Sequence, residues 1–236
     1  MLSILSFCLV IGAGHAFEAD HIAAVSSLVS GKTGRRVIIR HGMIWGLGHT
    51  VILLVVGGTI LTLKSTIAPD LALGIEALVG MMLVGLGGHV LFRLHRDRVH
   101  FHKHRHGDAG EHFHLHSHAG EAKAHGPASH AHAHPDRGAV RALLVGMMHG
   151  LAGSAAVVLG TAAALNSPLA GLAYIAVFGA GSIAGMALVS AALSVPLMMT
   201  ARLLTRANTA LQLAIGLVTI GIGIYIFGLS AQLLIA

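Results

Sequence analysis

The chain has 236 residues, 55% of them hydrophobic and only 10% charged, with a mean hydropathy of +0.79, which excludes an ordinary soluble domain. Its net charge of +6 does not mark a nucleic-acid binder, because 14 of the 15 Lys and Arg fall on one side of the membrane if the apolar segments alternate. The single cysteine, Cys8, excludes an intrachain disulfide framework and any multi-cysteine zinc site, and reads as a small packing residue.

Six apolar stretches are long enough to span a bilayer, which takes about 20 residues each. They run over residues 2–29, 37–63, 71–94, 140–165, 169–197 and 207–235. The first lacks a basic region ahead of its apolar run, so it reads as a span and not as a secretory leader. It carries His15-Ala-Phe-Glu18-Ala-Asp20-His21, two imidazoles and two carboxylates in lipid-compatible surroundings. Ionisable groups inside a span mark functional sites, and imidazole with carboxylate suits divalent first-row metals. A straight helix turns about 100° per residue, so it cannot aim all four groups at one ion. Gly12 and Gly14 just upstream predict a break or an unwound turn there.

Span two places His41, Trp45 and His49 on one face at four-residue spacing. His41 reads as an interhelical hydrogen-bonding group and His49, near mid-span, as a candidate ligand. Thr50 or the carboxylates are candidate acceptors for the second ring nitrogens of metal-bound histidines. Span three holds Glu76 near its outer end, where it would attract cations, and His89 near its inner end. Span four holds His149 at a depth comparable to His49.

Between spans three and four lie 13 of the 19 histidines, in alternations such as His100-x-His102-x-His104-x-His106 and His130-x-His132-x-His134. Gly, Ala and Pro interrupt the tract and it has no apolar face, which predicts disorder without metal and loose binding of several ions with it.

The halves repeat at an offset of about 134 residues. Gly12-x-x-His15 matches Gly146-x-x-His149, Trp45-Gly46-Leu47-Gly48 matches Phe178-Gly179-Ala180-Gly181, and Glu76, Gly80 and Gly87 match Gln212, Gly216 and Gly223. Asp20 aligns with Ser154 and His21 with Ala155, so one asymmetric site is expected. Each half has an odd number of spans, so the second enters the membrane inverted, as in many secondary transporters with midplane sites. The expected fold is all-α: residues 1–94 form one three-helix repeat, 95–138 a disordered His-rich cytoplasmic loop and 139–236 a second, inverted repeat. The basic residues put both termini outside and that loop in the cytoplasm of a multi-pass plasma (inner) membrane protein.

His15-Ala-x-x-Ala-Asp20-His21-Ile22 resembles the signature of the nickel/cobalt transporter (NiCoT) family. Leu47-Gly48-His49-Thr50 resembles that family's Leu-Gly-His-Ser/Thr motif, and His149-Gly-Leu-Ala-Gly-Ser-Ala resembles the second half of the related urease-accessory-type nickel permeases. The resemblance implies a permease for nickel or cobalt, with His15, Asp20, His21 and His49 at motif positions. Glu18 stands where many members have Asp, and the extra spans and later Asp/Thr-rich motif of eight-span members are absent.

The expected function is uptake of Ni²⁺ or Co²⁺ as substrate, without a resident cofactor, through metal ligands drawn from His15, Glu18, Asp20, His21, His49 and His149. The same ligands would serve an exporter loaded by the His-rich loop. No Gly-x-x-x-x-Gly-Lys-Ser/Thr run points to ATP use and no His-Glu-x-x-His to a membrane metalloprotease, so an enzyme is not expected. The expected partners are the metal ion and the lipid bilayer, with no nucleic acid.

Overall fold

A computed structural model describes residues 2–32, 34–64, 67–96, 104–106, 109–112, 137–151, 154–165, 167–203 and 205–235. Eight helices carry the fold: α1 (Leu2–His15), α2 (Ala19–Val29), α3 (Arg35–Leu63), α4 (Pro69–Arg96), α5 (Arg137–His149), α6 (Ser154–Ala163), α7 (Pro168–Leu203) and α8 (Thr205–Ile235). The His-rich loop expected at 95–138 falls mostly outside the described residues. Within it, β1 (His104–His106) and β2 (Ala109–His112) pair antiparallel.

Among the described residues, four helices are long and apolar enough to cross a membrane: Arg35–Leu63, Pro69–Arg96, Pro168–Thr200 and Ala207–Ile235. Large apolar side chains on their outer faces, among them Val55, Leu78, Leu188, Leu217 and Ile224, are exposed, as lipid-facing positions should be. The chain is a multi-pass membrane protein.

The first and fourth apolar stretches are each two helices. In the first, the break falls at Ala16–Glu18, a few residues after the glycines expected to cause it. The Phe17 N–H reaches Gly14 O at 3.0 Å and the Glu18 N–H reaches His15 O at 3.1 Å, closing a turn. Glu18 is extended (φ −61°, ψ 146°) ahead of α2. Gly12 stays helical and serves packing, because a Cβ there would collide with the Phe178 carbonyl of α7. In the fourth stretch α5 stops at His149, and α6 restarts at Ser154. The chain leaves α2 through Gly31 at φ +75°, a conformation that favours glycine. The Arg93 guanidinium of α4 there donates to Ser30 O and, at 3.4 Å, to Gln212 Oε1 of α8.

Glycine contacts between helices come in reciprocal sets. Gly12 on α1 meets the Phe178 carbonyl on α7, and Gly146 on α5 meets the Trp45 carbonyl on α3. Gly48 on α3 meets Leu143, while Gly181 on α7 meets Leu9. Gly80 faces Gly223 and Gly87 faces Gly216 across the α4–α8 crossing. Without side chains at these points the backbones approach closely, which is how membrane helices gain van der Waals contact where lipid removes the hydrophobic drive. One core cluster around Ala24, Val25, Ile38, Trp45, Leu83 and Met186 backs the broken helix of the first half. A second, around Leu53, Leu159, Ile175 and Phe178, fills the space beside α6.

Candidate metal site

All six candidate ligands come together where α1 breaks into α2. Because α1 ends at His15, its ring sits on one side of the turn while Asp20 and His21 open α2 on the other. The break brings the His15 and His21 ring centroids to 4.2 Å, which an unbroken helix would not do. His49, from the middle of α3, stands 5.1 Å from the His15 ring and 5.5 Å from the His21 ring. His149, the last residue of α5, stands 4.3 Å from the His21 ring.

The carboxylates orient the imidazoles. Glu18 Oε1 lies 2.8 Å from His15 Nδ1. Asp20 Oδ1 accepts the His21 backbone N–H at 2.8 Å and lies 3.0 Å from its ring Nδ1. Asp20 Oδ2 reaches across the halves to His149 Nε2 at 3.1 Å, and His149 Nε2 lies 3.2 Å from His21 Nδ1. The four histidines are buried, while the Asp20 and Glu18 side chains are 24% and 47% exposed. The Thr50 hydroxyl shares its proton between Gly46 O at 2.9 Å and Gly179 O at 3.2 Å.

Two three-residue groups have ligand atoms within 4.8 Å of one another: His15, His21 and His49, and Asp20, His21 and His149. They share His21. His21 Nε2, His149 Nδ1 and both ring nitrogens of His49 are buried without a hydrogen-bond partner. An unsatisfied buried polar atom costs about 1–3 kcal/mol, so several gathered in one place are poor packing but a good donor set for a cation. Two carboxylates beside four imidazoles supply two negative charges, which match a divalent ion in a low-dielectric interior.

Other polar candidates lie elsewhere. Glu76 is half-buried and pairs with Ser230 of α8 at 3.3 Å. His89 is exposed. His41 is buried on α3 with Nδ1 2.8 Å from Val37 O. Cys8 is a buried packing residue of α1. Two aromatic rings wall the cluster. Trp45 stands 5.3 Å from His21 and 5.5 Å from His149, and Phe178 stands 5.4 Å from His15. The offset that equates Trp45 with Phe178 was the available signal for both.

No family model and no solved structure matches the chain. The chain is similar to the urease accessory protein UreH of Bacillus sp. (strain TB-90), at 34% identity over 227 residues covering 95% of this chain and 90% of that protein. That relative is an accessory protein by name. With near-complete coverage by such a relative and the motif residues gathered in one buried cluster, the chain belongs to the UreH-type urease accessory branch of the nickel/cobalt transporter family.

Proposed function

We propose that this protein is a permease that takes up Ni²⁺ or Co²⁺ across the plasma (inner) membrane. The observation that carries the reading is the pair of overlapping donor sets joined at His21. An arriving ion sheds water against Glu18 and Asp20, the two exposed edges of the cluster, and exchanges it for buried imidazole nitrogens. The all-histidine set and the Asp20 set offer it two positions, with His21 common to both. The five residues of the two sets do not form one group within 4.8 Å, so one ion moves between the sets or draws them together.

Two inverted three-helix repeats meeting at this cluster would form the rocking halves of an alternating-access cycle. The reciprocal glycine contacts and the matching breaks after His15 and His149 support that arrangement. The basic residues support a membrane orientation with both termini outside and the His-rich loop in the cytoplasm. The membrane potential supports the inward direction. A membrane potential is worth about 2.3 kcal/mol per charge per 100 mV, hence about 4.6 kcal/mol for a divalent cation moving inward. Export would oppose that term and would require coupling to another source. The His-rich tract then collects the ion on arrival.

The test is metal uptake into liposomes holding the purified full chain, with an inside-negative potential imposed. Ni²⁺ or Co²⁺ should enter, Zn²⁺ and Mn²⁺ should compete less well, and His21→Ala should abolish entry. Potential-independent flux unaffected by His21→Ala would overturn the reading.

A further inference from the structure

His41 takes no part in the site described, yet it is built like a metal ligand. Its Nδ1 lies 2.8 Å from the Val37 carbonyl, which can only accept, so Nδ1 carries a proton and, in the neutral ring, Nε2 is the atom with the lone pair. That Nε2 is buried and has no hydrogen-bond partner among the described residues. A backbone carbonyl on one ring nitrogen and a free lone pair on the other is the arrangement that orients histidines toward metals.

Its place is equally informative. His41 lies two turns along α3 from His49, about 12 Å at 1.5 Å per residue, toward the end where α3 begins among Lys32, Arg35 and Arg36. Arg93 ties α2 to α4 at that same end, and the His-rich tract follows α4. More buried polar atoms without partners lie around this stretch. Trp45 Nε1 is one turn from His41 and against the His21 ring, and Ser190 Oγ of α7 lies against Gly42. The Ser30 hydroxyl closes α2. These polar atoms interrupt the apolar core around Ile38, Trp45 and Met186 between the site and this end.

We propose that His41 is a second binding station for the transported divalent metal, its Nε2 taking the ion after the His21 cluster and passing it toward the His-rich end. The inference rests on the permease reading for its direction but not for its ligand. It requires a nitrogen or sulfur donor at position 41, whereas a packing role requires only a ring of the right size.

The experiment uses the full chain in liposomes with His41→Phe and His41→Cys, the latter combined with Cys8→Ala. His41→Phe should lower the maximal Ni²⁺ flux by about tenfold or more with KM little changed, and His41→Cys should restore most of it, because a thiolate is also a ligand for these ions. Separately, Ni²⁺ should slow maleimide labelling of the introduced thiol several-fold. The labelling arm reads His41 directly, so it stands even if the wild type proves to move no metal. A wild-type rate in His41→Phe, failure of His41→Cys to recover, or labelling indifferent to Ni²⁺ would each overturn the proposal.

Discussion

The two broken helical stretches place the same local device in the two halves and load it with different chemistry. In the first half the break after His15 is followed by Glu18, Asp20 and His21; His15, Asp20 and His21 enter the donor sets, and Glu18 holds His15 from the exposed edge. In the second half the break after His149 leads into Gly150 and on to Ser154, and among the described residues His149 is the second-half member of the donor sets. The glycine contacts are matched across the halves while the ligands are not. Backbone geometry therefore sets where a break can point side chains, and the residues just beyond the break decide whether a charge-bearing site is made there.

The sharpest way to test that difference is to remove the residue both donor sets share. His21→Ala should reduce uptake by more than the 10–100-fold range typical of losing an orienting partner, since neither set survives it. Asp20→Asn should come next. It keeps the size and one hydrogen-bonding oxygen at His149 but removes a charge from the ion's surroundings, and uptake at low metal should fall by about tenfold or more. His149→Ala tests whether the second half contributes more than packing. Uptake should drop, but less than in His21→Ala because the His15, His21 and His49 set remains; equality with wild type would make the site a property of the first half alone.

The matched side of the comparison has its own test. Gly12→Val and Gly146→Val should each force their helix away from a facing carbonyl and lower thermal stability in detergent by about 1–3 kcal/mol, by similar amounts. A large effect at one position and none at the other would break the equivalence of the halves. The smallest effect should come from deleting residues 100–134, which lie outside both donor sets. Uptake should persist near its initial rate, while the metal retained by the protein falls.

Much of this was legible in the residues. Charged and imidazole groups within a 2–29 apolar run pointed to a candidate site, and the structure brings all six candidate ligands close together. The position of the break was not legible. Gly12 and Gly14 offered the conformational freedom, but Gly12 is held helical by its contact with Phe178, and the chain turns at Ala16–Glu18 instead. The cross-half pairing of Asp20 with His149 was also hidden, because it depends on how α5 docks against α3, and no local pattern reports that. The role proposed for His41 was hidden for a related reason. Its spacing from His49 is that of a packed helix face, and only the unpartnered Nε2 separates a ligand from a packing residue.

The most direct measurement is accumulation of radiolabelled nickel in cells expressing the wild type, His21→Ala and the 100–134 deletion. A permease centred on the His21 cluster predicts accumulation that the deletion mostly spares and His21→Ala abolishes. Accumulation unaffected by His21→Ala and lost with the deletion would contradict it, leaving the His-rich tract as the functional part.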